Sequence, residues 1–266
     1  MVDRVNWVPE GVNVEVPSSA RIYDYLLGGG HNFEADRRTA EALIKVLPVR
    51  DMARRNRAYL RRVVLELAER GVRQFLDLGS GIPTVGNVHE VAHEVAPDSK
   101  VVYVDFEPVA ITHAELMLEG EQDVTALLAD LREPEKVVAQ AQQHLDFSQP
   151  IGLLVVGVLQ FIPDSDDPWG VLSRYVDSLS SGSYLALSHF TADSMPAAMA
   201  AGKEIFAKTA EPITPRTRAQ VTDMLAGTEI VEPGVVFTPQ WRPETPEDVG
   251  DDPTRANLYA AVGRKP

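Results

Sequence analysis

The fold is decided by residues 75–84, which read Phe-Leu-Asp-Leu-Gly-Ser-Gly-Ile-Pro-Thr. A short apolar run that ends in a glycine-rich turn and continues into a helix is typical of a strand in a parallel sheet. The glycines let the backbone approach a ligand closely, and the start of the following helix offers free N–H groups. The stretch therefore predicts a ligand site at the carboxyl end of a parallel sheet.

Downstream of this stretch, apolar runs alternate with helical patterns. The predicted strands are Lys100–Val104, Asp123–Ala129, Ile151–Leu159 and Ser183–Ser188, and the predicted helices are Thr84–Val95, Pro108–Leu118, Pro134–His144, Ser194–Lys208 and Pro215–Leu225. Strands that alternate with helices predict βαβ units, a parallel sheet and right-handed crossovers. Two further runs, Glu229–Phe237 and Asn257–Val262, predict an antiparallel pair at the edge of that sheet.

The first third of the chain has a different pattern, which is helical throughout. It predicts helices over Ala20–Leu27, Glu34–Leu47 and Asp51–Arg70. We therefore expect an α/β fold in which residues 1–72 form an N-terminal helical segment of the same domain as residues 73–266. Three consecutive glycines, Gly28–Gly30, follow the first helix and predict either flexibility or a close backbone contact.

Composition excludes several classes of site. The 266 residues include no cysteine, which rules out disulfide scaffolds, thiolate zinc sites, Fe–S clusters and cysteine nucleophiles. A formal net charge of −14 disfavours binding to duplex nucleic acid, which depends on neutralising phosphates. No secretory signal pattern is visible, and the longest apolar stretch, Ile151–Leu159, is too short for a membrane span. We expect a cytoplasmic protein without a membrane partner, and the oligomeric state stays open.

Acidic residues stand at the ends of the next two predicted strands. Asp105 ends the second, Glu107 follows two residues later, and Asp130 ends the third. A carboxylate at the end of the second strand can accept hydrogen bonds from ribose hydroxyls. Thr84 stands where a dinucleotide fingerprint has its last glycine, and Asp77 would repel a pyrophosphate. The acidic lining therefore favours S-adenosylmethionine, which carries an ammonium group and no phosphate, over NAD; an NAD-dependent oxidoreductase is an alternative.

These motifs, Asp77-Leu-Gly-Ser-Gly, Val104-Asp105 and Asp130, resemble those of class I S-adenosylmethionine-dependent methyltransferases. Residues 17–33 together with Asp36-Arg37-Arg38 are similar to the N-terminal signature of the bacterial S-adenosyl methyltransferase family. The resemblance covers nearly the whole chain. It implies a Rossmann-like, mostly parallel seven-stranded sheet with an antiparallel C-terminal strand pair and extra N-terminal helices. It does not supply the methyl acceptor.

The resemblance also implies roles for individual residues. Asp77, Gly79, Ser80 and Gly81 flank the methionine part of the cofactor, Asp105 holds its ribose, and Asp130 with Leu131 meets the adenine. Further cofactor-binding candidates are Phe106, Glu107, Gly157, Arg21 and Asn32. The product of the cofactor would be S-adenosylhomocysteine.

A competing motif, His89-Glu90-Val91-Ala92-His93, has the spacing that places two imidazoles on one helix face for zinc. The predicted buried stripe of this helix is Val88, Val91, Ala92 and Val95, which leaves both histidines flanking it toward solvent. We therefore expect an exposed His/Glu face and no metal. A zinc peptidase is the distant alternative.

Catalytic residues are harder to select because methyl transfer mainly requires alignment of the reacting atoms. The candidates are His31, Tyr25 and Gln160, with His189 more typical of a structural histidine. The segment before the three glycines is either a lid over the cofactor or substrate, or a docked helix with a partly buried Arg–Asp pair. The arginines of the third predicted helix, Arg54, Arg55, Arg57, Arg61 and Arg62, predict a solvated basic face.

Together these observations predict direct in-line methyl transfer to a small-molecule acceptor. The chief alternative is a regulatory module that binds the cofactor without turnover.

Overall fold

The computed structural model describes residues 8–9, 12–83 and 86–266. Its strands are β1 (Gln74–Leu78), β2 (Lys100–Asp105), β3 (Val124–Leu128), β4 (Gly152–Val156), β5 (Tyr184–Phe190), β6 (Glu229–Ile230), β7 (Val236–Phe237) and β8 (Leu258–Arg264). They form one sheet in the order β3-β2-β1-β4-β5-β8-β6, and β7 also pairs with β8. Strands β1 to β5 run parallel, and β8 is antiparallel to β5. The predicted α/β class with an antiparallel C-terminal pair is confirmed.

Helices cover both faces of this sheet. They are α1 (Ser19–Leu27), α2 (Glu34–Ile44), α3 (Val49–Glu69), α4 (Val88–Val95), α5 (Pro108–Met117), α6 (Pro134–Ala141), α7 (Pro168–Ser178), α8 (Pro196–Phe206), α9 (Arg218–Asp223) and α10 (Pro246–Val249). The predicted start of the fourth helix at Thr84 lies outside the described residues. Within the described part of the chain, no helix is long and apolar enough to cross a membrane.

The central strands are buried on both faces, as the continuous apolar runs predict. Leu76 and Leu153 point to one face and join a core with residues of α6, α7 and α9. Phe75 and Leu154, which alternate with them, point to the other face and pack with α3 and α4. This alternation with a period of two residues is what a pleated strand imposes.

The C-terminal strand pair differs from the prediction in one respect. The run Glu229–Phe237 is not one strand: β6 and β7 are separate short strands that pair with opposite ends of β8. Between them stand Pro233, which has no N–H to donate to a ladder, and Gly234, whose φ of +86° turns the chain. The eight strand segments therefore occupy the seven strand positions of the predicted sheet.

The sheet order creates a crevice between β1 and β4. From β1 the chain proceeds outward to β2 and β3, whereas β4 continues in the opposite direction to β5. Crevices at such a reversal, at the carboxyl ends of the strands, are where open α/β sheets bind ligands. Helices α1 and α3 contact each other, and α3 packs against α4 and β4.

Candidate functional site

A cavity of about 430 Å³ lies at this crevice, within the size range of small-molecule sites. Eleven of the predicted site residues line it: Asp77, Gly79, Ser80, Gly81, Asp105, Phe106, Glu107, Asp130, Leu131, Gly157 and Gln160. Four others, Arg21, Asn32, Tyr25 and His31, are absent from the described lining. The structure thus brings together the predicted groups at the strand ends but not those of the N-terminal segment.

The glycine-rich turn after β1 is required by backbone geometry. Gly79 and Gly81 have φ of +68° and +67°, which glycine adopts without strain. The N–H groups of Gly79 and Ser80 donate to the carbonyl oxygen of Val104 at 2.8 and 3.2 Å. A Cβ on Gly79 would lie 2.3 Å from Cγ2 of Val158, whereas one on Gly81 would meet no atom within 4 Å. The turn is therefore packed against the protein at Gly79 and open at Gly81.

Asp105, at the end of β2, is buried and held by two backbone groups. Its Oδ2 accepts a hydrogen bond from the N–H of Gly81 at 2.7 Å, and its Oδ1 accepts from the N–H of Glu107 at 2.9 Å. Burial raises the pKa of this carboxyl to about 6, although these backbone donors act in the opposite direction. Each carboxylate oxygen retains a second lone pair for a ligand hydroxyl.

Asp77 lines the cavity from β1 and is also buried. Burial raises its pKa to about 7, and the nearby Asp105 adds to the rise while Arg57 opposes it. At neutral pH this carboxyl is therefore only partly ionised. A cationic ligand group beside it would favour the ionised form.

Glu107 and Arg21 form an ion pair that supports the cavity wall. Glu107 Oε2 lies 3.1 Å from Arg21 Nη1, and Glu107 Oε1 accepts from the N–H of Val109 at 3.3 Å. The Arg21 guanidinium also bonds the buried Asp36, with Nε 2.9 Å from Oδ2. Both carboxylate oxygens of Glu107 are thus engaged, and Arg21 contacts the site through Glu107. A docked helix with an Arg–Asp pair, one of the two interpretations of this segment, is present, and the pair is fully rather than partly buried.

Within the glycine run that follows α1, position 29 has no room for a side chain. A Cβ at Gly29 would lie 1.9 Å from Oδ1 of Asp24, so the backbone must approach that carboxylate closely. Asp24 Oδ2 accepts from the N–H of His31 at 2.9 Å and from Asn32 Nδ2 at 2.8 Å. The Asn32 side chain therefore stabilises this turn, and it is absent from the described cavity lining.

An ion-pair bridge closes the opposite rim. Arg132 Nη2 lies 2.6 Å from Asp130 Oδ2, and Arg132 Nη1 lies 3.0 Å from Asp166 Oδ2. It joins the loop after β3 to the loop that follows β4. Phe106, which is 50% exposed, also lines the cavity. The ring of Phe106 and the carboxylate of Asp130 can therefore both contact a ligand at this rim of the cavity.

The half of the cavity over β4, β5 and β8 has a different lining, most of which sequence reasoning missed. It is contributed largely by Ile22, Tyr23, Leu26, Met52, Ala53 and Asn56 of α1 and α3, together with Phe161, Phe190, Phe206 and Leu258. The apolar stripes of α1 and α3 are visible in the sequence. That they face a cavity depends on long-range packing, which no local signal encodes.

Two of the catalytic candidates lie outside the described lining. Tyr25 Oη donates to Glu41 Oε1 at 2.7 Å, and the ring of His31 packs on His113 with centroids 3.6 Å apart. His189 is fully buried, its Nε2 lies 2.8 Å from Arg216 Nη1, and burial lowers its pKa to about 3. It is a neutral structural histidine. Gln160 alone among the candidates lines the cavity.

The zinc-like motif on α4 has a structural role. His89 Nδ1 lies 2.8 Å from Tyr103 Oη, and His93 Nε2 lies 2.9 Å from the carbonyl oxygen of Ser99. Both rings are half-buried instead of facing solvent, and Val95, predicted to be buried, is 38% exposed because it lies at the end of α4. The described residues contain no group of three or more His, Asp or Glu side chains arranged for a metal ion.

The predicted solvated basic face of α3 is wrong for three of its arginines. Arg55 is half-buried. Arg62 is buried because it donates to the carbonyl oxygens of Trp241 and Thr238 at 3.0 and 2.7 Å. Arg57 is half-buried and lines the cavity. Arg54 and Arg61 are exposed, as expected.

Comparison with known proteins identifies the family of this chain. The model of the S-adenosyl methyltransferase family matches residues 5–266. The chain belongs to this family. Its cofactor is therefore S-adenosylmethionine, as the acidic strand ends and the resemblance predicted. No curated protein matches the chain.

Two solved structures are similar to this chain over almost its full length. A DUF574 family protein from Streptomyces avermitilis is 36% identical, with 95% of this chain and 99% of that chain covered and a TM-score of 0.91. A protein from Thermobifida fusca is 38% identical, with coverages of 98% and 99% and a TM-score of 0.91. The N-methyltransferase NodS from Bradyrhizobium japonicum, solved with S-adenosyl-L-homocysteine, is 14% identical, with coverages of 92% and 99% and a TM-score of 0.53. NodS shows a shared fold only.

Proposed function

We propose that the protein transfers the methyl group of S-adenosylmethionine directly to a small-molecule acceptor in the crevice between β1 and β4. The observation that carries this proposal is one cavity with two unlike halves. The ends of β1, β2 and β3 supply carboxylates and a glycine-rich turn, and the other half is lined mainly by apolar side chains of α1, α3 and α8. A cofactor and an acceptor can thus meet at the reversal of the sheet.

The residues of the first half fit the chemistry of the cofactor. Asp105 would accept the ribose hydroxyls with its remaining lone pairs, and Phe106, Leu131 and Asp130 would surround the adenine. Asp77 would face the ammonium group, whose positive charge favours the ionised carboxylate. Gly79, Ser80, Gly81 and Gly157 supply backbone next to the methionine part.

The N-terminal segment, residues 1–72, would act as a cap within the same domain as residues 73–266. Arg21 would act indirectly, through Glu107, and Asn32 would hold the turn that follows α1. The side chains of α1 and α3 that line the cavity would exclude water from the reacting atoms.

The bound cofactor supplies an electrophilic methyl group on a sulfonium, which passes to a nucleophilic atom of the acceptor while the electron pair of the broken C–S bond returns to sulfur. The work of the protein is therefore alignment. The proton on the attacking atom can leave to solvent once the methylated product leaves the cavity, so none of the lining residues need act as a strong base. This agrees with a cavity in which Gln160 is the sole lining candidate from the sequence.

The test is a calorimetric titration with S-adenosylmethionine and S-adenosylhomocysteine, with NADH as the control. We expect binding of both sulfur compounds and none of NADH. A subsequent screen with methyl-labelled cofactor would measure labelled product. Binding of both compounds with no labelled product from any acceptor would favour the regulatory module, and binding of NADH alone would contradict the proposal.

A further inference from the structure

We propose that the acceptor is an uncharged, largely apolar molecule that carries a hydroxyl or an aromatic amine, which is neutral at pH 7, bound in the half of the cavity over β4, β5 and β8. We call this half the acceptor chamber, defined by Ile22, Leu26, Met52, Phe161, Phe206 and Leu258. The inference rests on the proposed function and adds the chemical class of the acceptor.

The walls of the acceptor chamber form one apolar cluster. The six side chains belong to, or pack against, the hydrophobic core that joins the N-terminal helices to α8. The rings of Phe161 and Phe206 contact each other at a tilt of 59°, with centroids 6.0 Å apart. Ligand surface placed here is removed from water against carbon, which favours an apolar molecule.

The charged side chains of the described lining lie elsewhere in the cavity. Asp77, Asp105, Glu107 and Asp130 stand on the β1, β2 and β3 side, and Arg132 pairs with Asp130 and Asp166 at the rim. Arg57 acts electrostatically on both Asp77 and Tyr23, and its Nη2 donates to Asn87 Oδ1 at 3.4 Å, so this cation is partnered outside the acceptor chamber.

Glu211 is the remaining charged residue of the described lining, and it is also engaged. Its Oε2 accepts from the backbone N–H of Ser19 at 2.7 Å, at the start of α1 near Glu107. The six residues that define the acceptor chamber carry no charge, and an unpaired charge is costly to bury. A phosphorylated, carboxylated or cationic acceptor is thereby disfavoured.

The polar groups beside the acceptor chamber are uncharged. Asn56 Oδ1 accepts from Ser188 Oγ at 2.6 Å, and Asn56 Nδ2 lies 3.4 Å from Tyr23 Oη. Gln160 Nε2 donates to the carbonyl oxygen of Gly157 at 2.6 Å, while its buried Oε1 has no hydrogen-bond partner in the described part of the chain. A hydroxyl or the N–H of a neutral aromatic amine on the acceptor would satisfy this oxygen at low cost.

The experiment compares probes of one shape and three charges. 2-Naphthol is neutral at pH 7, 2-naphthoate is an anion and 2-naphthylmethylamine is a cation. Each is titrated into the full chain, with and without saturating S-adenosylhomocysteine. We expect 2-naphthol to bind at least about tenfold more tightly than either charged probe. Equal or tighter binding of a charged probe, or no binding of 2-naphthol in either condition, would overturn the inference.

A pair of variants locates the bound probe. Phe161→Glu places a carboxylate in the acceptor chamber, at a half-buried position that can accommodate it. It should weaken 2-naphthol binding at least about tenfold. Leu116→Glu, at a leucine of α5 that is 57% exposed and outside the described lining, is the control.

Both variants should keep the wild-type affinity for S-adenosylhomocysteine. Unchanged 2-naphthol binding by Phe161→Glu would show that the probe binds elsewhere and would contradict the assignment. Failure of S-adenosylhomocysteine to bind the wild-type chain would defeat the proposed function instead, and the probe comparison without it would still test the acceptor chamber.

Discussion

One buried arginine, Arg216, holds the loop after β4 that forms part of the site. Arg216 is 1% exposed and donates to the carbonyl oxygens of Leu159 and Ile162 at 3.0 and 2.8 Å. It also bonds Asp164 at 2.6 Å and lies over the ring of Trp169. These contacts hold the segment after β4 that carries Gln160. Since a guanidinium offers five donors in a fixed plane, lysine could not replace it at this position.

Asp105 carries the most direct prediction at this scale. Asp105→Asn should weaken S-adenosylhomocysteine binding by about 2 kcal/mol, because it removes charge-assisted hydrogen bonds to the ribose and presents an NH2 group to a backbone donor. Calorimetry measures the change. Asp98→Asn is the matched control, because Asp98 is exposed beside Arg73 and lies outside the described lining. An Asp105→Asn protein that melts normally and binds with wild-type affinity would remove the ribose role.

At the scale of helices and strands, the sequence predicts what local patterning controls. The apolar run before Gly79 and the run Lys100–Val104 became β1 and β2 with nearly the predicted bounds, because a buried strand must be apolar throughout. The split between β6 and β7 was not predicted, although Pro233 and Gly234 are its visible cause. The acceptor chamber could not be predicted, because it requires α1, α3 and α8 to meet across the fold.

The burial of Arg62 also depends on long-range packing that local patterning does not predict, and its contribution to stability can be tested. Arg62 ties α3 to the C-terminal segment through the carbonyl oxygens of Thr238 and Trp241. Arg62→Met should lower the free energy of unfolding by about 2–4 kcal/mol, because both buried carbonyls lose their charged donor. Urea unfolding measures it.

Arg61→Met is the control for that experiment, since Arg61 forms an exposed ion pair with Glu94. Such exposed pairs contribute little to stability, because solvent screens them. Equal losses for the two variants would show that the Arg62 contacts add nothing beyond a surface pair.

At the scale of the whole molecule, negative charge is concentrated where the cofactor would bind. The chain carries a net charge of −14, and two of its carboxyls, Asp77 and Asp105, are buried in one cavity. Burial raises the pKa of Asp77 to about 7 and that of Asp105 to about 6. The folded protein therefore keeps protons between about pH 4 and 7 that the unfolded chain has lost, so these two groups stabilise the free protein less as the pH rises.

Cofactor binding should have the opposite pH dependence. The ammonium and sulfonium of S-adenosylmethionine favour the ionised form of Asp77, so binding below pH 7 must release a proton. We expect the Kd to fall about fivefold or more from pH 6 to pH 8, and to fall less for S-adenosylhomocysteine, which lacks the sulfonium charge. Calorimetry in buffers of different ionisation enthalpy counts the released protons. Asp77→Asn should flatten the profile while the protein remains folded, since a neutral amide cannot titrate. A wild-type affinity that is constant or falls over this range would mean that Asp77 does not face the cationic end of the cofactor.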